Sequence, residues 1–333
     1  MSHSGSKQMK TAVFRQYGTP DVIEHRQRPI PTPQANEILV KMVATSANVA
    51  NLVRMTGKPH IVRLFEGLSM PKYPAIGMDI AGWVEAVGSE VTEFKRGDAV
   101  FGSTATREWG SFAEYTIATE ETLAHKPDNI SFEEAAAVPN VGYTAVQGLR
   151  AAGMVQAGQQ VLINGASGGV GTMLVQLVKA LGGEITAVCS HRHVERLYAI
   201  GANHVIDYTK EDFTQNGRQY DLIIGANGYQ PLLSYKRSLK PNGVYVCTGG
   251  AMPQVFQSML LGPLVSLFGK KRLFNMGVAK VDKEDLRWLK SLLEDGEIKP
   301  TLDRCYPFSR TMEAFHYLNE GHAQGKVIVM AGE

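Results

Sequence analysis

The sequence predicts a two-domain α/β protein in which a β-rich amino-terminal part precedes a doubly wound parallel sheet, and three observations carry that prediction. The chain has 333 residues, about twice the ~150 residues of a typical domain. Its first part is written in short extended runs, and its second part alternates β-branched runs with helical patterns. A glycine-rich turn at 161–171 stands where that alternation begins.

From residue 10 to about 127 the runs TAVFRQYG, EILVKMVATSAN, DIAGWVEAVG, DAVFG and SFAEYTIAT are separated by Gly, Pro, Asp and Asn, the punctuation of short strands. No helix longer than a few turns is expected there. At SFEEAAAVPNVGYTAVQGLRAAG the texture changes: Ser131, followed by Glu133 and Glu134, is a helix start, and Ala-rich helical spacing follows. From Gln160 onward VLIN, ITAVCS, HVID, DLII, GVYVC and LFNMGVA alternate with helical segments. Strands joined through helices of about 10–15 residues imply crossover connections and a parallel sheet. The patch KEDLRWLKSLLEDG reads as a helix, and the apolar KVIVMA near the end as a strand that returns to the first domain.

The turn itself reads VLINGASGGVGTMLVQLVKALG. A strand at Val161–Asn164 enters it, and a helix with apolar residues at Val170, Met173, Leu174, Leu177, Val178 and Leu181 leaves it, the spacing of a face packed on a sheet. Gly168 and Gly171 occupy the second and third places of a G-x-G-x-x-G pattern, with Ala166 at the first. Such a turn suits a pyrophosphate, which needs close backbone approach and amide groups at a helix N-terminus; the competing reading is an ordinary glycine-rich junction. Where a ribose 2′-hydroxyl would call for an acid about 20 residues further on, the second strand ends in Ser190, His191, Arg192 and His193, with no acid until Glu195. Arg192 and Ser190 can serve a 2′-phosphate, and the competing reading is a solvated helix start.

A net charge of +2 gives no field that would favour nucleic acid or an anionic membrane. Three widely spaced cysteines, Cys189, Cys247 and Cys305, argue against a disulfide framework and provide no paired zinc-ligand spacing. No metal site is expected. The start MSHSGSKQMK has no apolar core for a signal or anchor, so a cytoplasmic address is expected. The longest apolar stretch, Val255 to Phe268, falls short of the ~20 residues of a spanning helix and is interrupted by Gln257, Ser258, Gly262, Pro263 and Ser266. A buried segment, a pocket wall or a subunit contact is expected there instead, and no membrane association.

Together PAIGMDIAGWVEAVGSEVTEFKRGDAVFG, GSFAEY, VPNVGYTAVQGL, LINGASGGVGTMLVQLVKALG, HVIDYTKEDF and the terminal GKVIV resemble the medium-chain dehydrogenase/reductase superfamily over nearly the whole chain. The resemblance is to its zinc-independent branch near quinone oxidoreductases and enoyl reductases. Within it, CSHRHVERL and HVIDY are similar to the mitochondrial reticulon-interacting oxidoreductase and its bacterial relatives. The resemblance implies a Rossmann doubly wound parallel sheet at 129–299, inserted into a GroES-like β-barrel domain formed by 1–128 and 300–333, with a cofactor in the cleft between them.

By carry-over it implies pyrophosphate contacts from Ser167, Gly169 and Val170, with Ala166 and Gly168 also cofactor-binding, 2′-phosphate contacts from Ser190 and Arg192, and an adenine contact from Tyr208. The loops Gly225–Gly228, with Ala226 and Asn227, and Thr248, Gly249 and Gly250 would border the nicotinamide, with Thr144, Gly325 and Lys326 also near the cofactor. Met78 stands where zinc alcohol dehydrogenases have a histidine, Asn51 where relatives often have Asp, and Gly225 where Asp is common. The activity implied is hydride transfer from NADPH to a quinone or α,β-unsaturated carbonyl, with Asn48 and Tyr143 as candidate hydrogen-bond or proton donors to the developing oxyanion. Each is also readable as structural, Asn48 as a turn cap and Tyr143 as core. An NADPH-binding scaffold with little turnover and a zinc-free alcohol or aldehyde reductase stand as alternatives, and a homodimer joined through the sixth strand, near Leu273 to Val278, is expected.

Overall fold

In a computed structural model of the chain, residues 7–106, 108–267 and 269–331 are described; the MSHSGS start and Phe268 of the apolar stretch lie outside them. In chain order the elements are β1 Gln8–Phe14, β2 Ile23–Pro29, β3 Glu37–Ala47, α1 Val49–Thr56, α2 Arg63–Glu66, β4 Asp79–Val87, β5 Ala99–Ser103, β6 Tyr115–Thr119, β7 Leu123–His125, α3 Phe132–Ala136 and α4 Pro139–Ala152. There follow β8 Gln160–Asn164, α5 Gly169–Ala180, β9 Glu184–Cys189, α6 Val194–Ala199, β10 His204–Asp207, β11 Tyr220–Gly225, α7 Leu232–Arg237, β12 Leu239–Cys247, α8 Met252–Leu260, α9 Gly262–Ser266 and β13 Arg272–Asn275. The chain closes with α10 Lys283–Glu294, β14 Leu302–Pro307, α11 Thr311–Asn319 and β15 Lys326–Met330. Packing divides it into two units: residues through Asn140 with Val281–Glu294 and from Leu302 onward, and Val141–Lys280 with Asp295–Thr301.

The first unit holds a sheet in the order β14-β15-β3-β4-β5-β7, with β6 also paired to β3, and a separate β1-β2 hairpin. Strand β3 is the organising element because its inward residues Ile38, Val40 and Met42 are spaced by two, as one face of a strand requires, and cluster with Ile80, Val84, Phe94 and Val100. The carboxyl-terminal β15 pairs antiparallel with β3, Val327 opposite Ala47 and Met330 opposite Ala44. The unit's borders differ from the sequence expectation at two helices. Helix α3, capped by Ser131, whose Oγ accepts from Glu134 N at 3.2 Å while Ser131 N donates to Glu134 Oε2 at 2.9 Å, packs on β3 and β4. Helix α10 packs on β7, and Lys283 pairs with Glu93 at 2.9 Å. Side-chain packing, invisible in the pattern of apolar runs, assigns both to the β-rich unit.

The second unit is a six-stranded sheet in the order β10-β9-β8-β11-β12-β13, parallel throughout. Its order reverses direction between β8 and β11, the switch point beyond which ligands bind in open parallel sheets. Helix α5 is buried on every side from Gly171 to Val178, wider than the stripe the sequence predicts. In α8 and α9 the pattern inverts: Gln254 and Ser258 are buried, whereas Leu260 and Leu267 are 63% and 76% exposed. Over its described residues 255–268 is therefore only partly buried: Val255 and Val265 pack against the core of the sheet, the leucines face out, and Gln254 just before it turns inward to donate to the Tyr245 hydroxyl at 3.1 Å. Among the described residues no helix is long and apolar enough to cross a membrane.

Candidate functional site

At the glycine turn each glycine has its own reason. Gly165 has φ +81°, and a Cβ there would lie 2.5 Å from Asn227 Cβ, so the turn and the 225–228 loop touch through bare backbone. A Cβ on Gly171 would lie 2.3 Å from Gly165 O and 2.6 Å from Ala166 C; that glycine lets α5 press against the end of β8. Gly168, the N-cap of α5, faces open space, where a Cβ would meet nothing nearer than Gly165 O at 4.0 Å. Ala166 is fully buried and its N–H donates to Val188 O at 3.0 Å, which ties the turn to β9. The N–H groups of the first turn of α5, at Gly169, Val170 and Gly171, have no carbonyl one turn back and carry the positive end of the helix dipole. An unobstructed backbone at Gly168 with these amides behind it is a cradle that a pyrophosphate fits.

Ser190 follows the end of β9, and His191, Arg192 and His193 form a single turn of 3₁₀ helix after it. Arg192 is exposed, while His193 is buried. Tyr208 follows the neighbouring β10 and its N–H donates to Cys189 O at 3.0 Å, so Ser190, Arg192 and Tyr208 share one corner of the sheet. Asp207 ends β10 opposite Cys189. Its carboxyl is held below the ordinary range chiefly by the Thr209 hydroxyl, which donates to Oδ1 at 2.7 Å. Burial, with Asp207 nearby, pushes the Cys189 thiol up to about 11, so it stays protonated at neutral pH.

The two remaining loops of this unit are tied to the same sheet edge. Asn164, the last residue of β8, accepts on its carbonyl from the N–H groups of Ala226 and Asn227 at 2.9 and 3.1 Å, and its side chain donates to Tyr235 Oη at 2.8 Å. Thr248 donates from its N–H to Gly225 O at 2.9 Å. A Cβ on Gly250 would lie 2.9 Å from Asn227 Cα, and one on Gly225 would lie 2.8 Å from Tyr245 Oη; the buried tyrosine leaves no room for the Asp that relatives often carry there. On α4 a Cβ at Gly148 would lie 2.6 Å from Thr248 Cγ2, and Thr144, one turn earlier, shares that helix face. Tyr143 is buried, at 3% exposure.

In the first unit the register of β3 with β15 and β4 assembles a second cluster. Ser46, Asn48, Asp79 and Lys326 are all buried. Lys326 donates from Nζ to Asn48 Oδ1 at 2.5 Å and stands 3.6 Å from Asp79 Oδ2. Asn48 Nδ2 donates to Asp79 Oδ2 at 2.8 Å and to Ser46 O at 3.2 Å, the Ser46 hydroxyl donates to Asp79 Oδ2, and Asn140 N donates to Asp79 Oδ1 at 2.9 Å. Asn48 precedes α1, and its own N–H donates to Asn51 Oδ1 at 3.1 Å; this gives Asn51, where relatives often have Asp, a helix-start function needing no charge. Burial lowers the Lys326 pKa, and the facing Asp79 carboxylate opposes that shift. Gly325, at φ +109°, turns the chain into β15 just before this lysine.

Apart from Tyr143, buried on α4, the sequence-selected residues thus fall into two groups. Ala166, Ser167, Gly168, Gly169, Val170, Ser190, Arg192, Tyr208, Ala226, Asn227, Thr248, Gly249 and Gly250 line one sheet edge of the second unit, with Thr144 on the helix packed against Thr248; Asn48, Gly325 and Lys326 come together in the first. Sequence reasoning did not select Asp79, Ser46 or Asn164. Asp79 was visible only as part of GMDIAG, and Asn164 as the polar end of an apolar strand. Among the described residues no three His, Cys, Asp or Glu side chains gather to hold a metal ion, and Met78, whose Sδ accepts from Asn140 Nδ2 at 2.9 Å, offers no zinc-ligating imidazole.

The alcohol dehydrogenase GroES-like domain family matches residues 34–128 and the zinc-binding dehydrogenase family residues 200–329. The chain is 33% identical to a 2-methylene-furan-3-one reductase of Solanum lycopersicum, over 97% of this chain and 79% of that one. It is 29% identical to the mitochondrial NAD(P)H oxidoreductase RTN4IP1 of Bos taurus, over 96% and 89%. Among solved structures, the quinone oxidoreductase from Coxiella burnetii superposes with a TM-score of 0.85 at 28% identity, covering 97% of this chain and 99% of that one.

Proposed function

We infer the function from one premise: the chain belongs to the medium-chain dehydrogenase/reductase superfamily, in its quinone oxidoreductase-like branch. It is a nicotinamide-nucleotide-dependent oxidoreductase that transfers hydride to a quinone or an α,β-unsaturated carbonyl. The observation that carries this reading in the molecule itself is the open backbone at Gly168 in front of the α5 amides. A dinucleotide held there by its pyrophosphate would supply hydride from its reduced nicotinamide to the electrophilic carbon of the acceptor.

The finer reading is that the cofactor is NADPH. Its support is the run Ser190, His191, Arg192, His193, in which an arginine fork and a serine hydroxyl are available to a 2′-phosphate and no carboxylate follows before Glu195. In this reading the amides of Gly169 and Val170, with Ser167, hold the pyrophosphate, Tyr208 packs by the adenine, and the loops at Ala226–Asn227 and Thr248–Gly250 border the nicotinamide. Gly325 and Lys326 belong to the cofactor contacts of the first unit. Tyr143 is the proposed proton donor to the developing oxyanion. Asn48 already has its amide hydrogens on Asp79 and Ser46 and its oxygen on Lys326; its proposed part is to hold the Lys326 ammonium in place. A homodimer through the edge of β13, which among the described residues pairs only with β12, and a cytoplasmic address complete the proposal.

The test is NADPH oxidation measured against a panel of quinones and enones. Turnover with at least one class is expected; tight NADPH binding with no turnover across the panel would replace the enzyme reading with that of a nucleotide-binding scaffold.

A further inference from the structure

The first unit contains a cavity of about 480 Å³ whose wall carries Arg15, Arg26, Arg28, Lys72, Tyr73 and Glu108. Its construction follows from the β1-β2 hairpin. Val13 pairs with Glu24, Thr11 with Arg26 and Met9 with Arg28, and side chains alternate faces along a strand, so Arg26 and Arg28 point to one side of β2, together with Val13 and Arg15 of the β1 side. Phe14 N donates to Pro74 O at 2.9 Å, which brings Lys72 and Tyr73 alongside. The Arg28 guanidinium lies over the Trp109 ring, 4.6 Å from its centroid, and donates to Glu108 O at 3.3 Å.

The charges on this wall do not balance. Four cations face one carboxylate, Glu108. Arg26 pairs with Glu24 at 2.5 Å, but Glu24 is not part of the wall. Among the described residues Arg15 and Lys72 have no carboxylate partner; Lys72 has only the Tyr73 ring, 5.1 Å from Nζ, and Arg28 has an indole and a neutral carbonyl. Like charges gathered without counter-charge repel one another and raise the local potential. Backbone pairing and the Trp109 stack hold them together regardless.

The geometry points to a binding site for a small multivalent oxyanion, a phosphate or pyrophosphate group that is either free or carried on a small molecule. Guanidinium forks match phosphate oxygens two at a time, and Lys72 adds a point charge. The volume lies within the range of small-molecule sites and exceeds what an inorganic anion alone would fill.

The experiment uses the full chain saturated with NADPH, so that the turn at 165–171 is already filled, and titrates inorganic pyrophosphate by calorimetry alongside thermal melting. Pyrophosphate is expected to bind, to raise the melting temperature and to bind more weakly as ionic strength rises. In Arg15→Gln/Arg26→Gln and in Lys72→Gln its affinity should fall about tenfold or more, with the ligand-free melting temperature unchanged or higher, because repulsion is relieved, and with NADPH affinity unchanged. Adenosine diphosphate binding tighter than pyrophosphate assigns the site to a carried phosphate group; equal or weaker binding assigns it to the free anion. Absence of pyrophosphate binding at low salt, or binding undiminished in both variants, overturns the assignment.

Discussion

Two glycines three residues apart should fail in opposite ways when given a methyl group. At Gly168 the backbone has φ −79° and ψ 176°, extended values open to alanine, and the new Cβ would meet nothing nearer than 4.0 Å. Gly168→Ala should therefore fold with stability within about 1 kcal/mol of the parent, the loss of a glycine N-cap being partly offset by a less flexible unfolded chain. In the proposed site its methyl nevertheless stands in the space through which the pyrophosphate would reach the Gly169 and Val170 amides. Loss of one charge-assisted hydrogen bond, roughly 1.5–3 kcal/mol, weakens NADPH binding by about 10- to 100-fold. At Gly171 the methyl would lie 2.3 and 2.6 Å from backbone atoms of Gly165 and Ala166, about an ångström inside ordinary carbon contact distance, and neither neighbour is a side chain that can swing away. Overpacking of this kind costs about 1–3 kcal/mol, and at about 2–4 °C per kcal/mol for a unit of this size Gly171→Ala should melt several degrees lower. Fluorescence titration with NADPH and a melting curve on each variant settle the matter. Wild-type NADPH affinity in Gly168→Ala, or wild-type melting in Gly171→Ala, would refute the account of the turn.

Arg192→Ala should lose NADPH affinity by about tenfold or more while NADH affinity stays the same, measured as the ratio of the two dissociation constants; an unchanged ratio removes Arg192 from the phosphate site. Lys326→Met leaves Asp79 buried without its cation and should cost about 3–5 kcal/mol in urea unfolding, more than an exposed lysine would. Ser131→Ala removes one half of the capping box at α3 and should cost about 1 kcal/mol, read in the same assay. For Cys189 the folded-state pKa of about 11 exceeds the ordinary 9.0, so above pH 9 the unfolded chain releases its proton first and stability falls as pH rises toward 11. Cys189→Ala should be less sensitive over that window in unfolding curves recorded at successive alkaline pH values.

The parallel sheet was legible because each of its six strands is a short apolar run, VLIN to LFNM, set between helical patterns, and burial on both faces leaves no other solution for such runs. Strand β2, IEHRQRP, was not legible: among the described residues it pairs only with β1, and it is exposed at four consecutive residues, Glu24 to Gln27, so no apolar alternation marks it. Strands β7 and β14 escaped for related reasons, one being three residues long and the other carrying charged or half-exposed residues over most of its length. In α8 the apolar run misled, since a tyrosine buried under Gly225 draws Gln254 inward and the leucines are left outside.

The nucleotide turn and the Lys326 cluster differ in the same way. Most of what shapes the turn lies within a few residues of sequence, apart from Asn227 and Val188, and a local motif can therefore announce it. Lys326, Asn48 and Asp79 are 278 and 31 positions apart in pairs and meet only because β15 and β4 flank β3. Sequence patterns carry strand periodicity but not which strands become neighbours, so the terminal GKVIV suggested a lysine near the cofactor without naming its partners. That register also limits what Asn48 can do. With its amide hydrogens and oxygen committed inside the unit, its replacement by Asp would add a second buried carboxylate beside Asp79 and within reach of the same ammonium. Asn48→Asp should consequently unfold more readily than the parent, by several kcal/mol on the scale of an uncompensated buried charge, and Asn48→Asp/Asp79→Asn, which restores one carboxylate for Lys326, should recover much of that loss. A double variant no more stable than the single one would show that Asn48 and Asp79 are not coupled through the lysine.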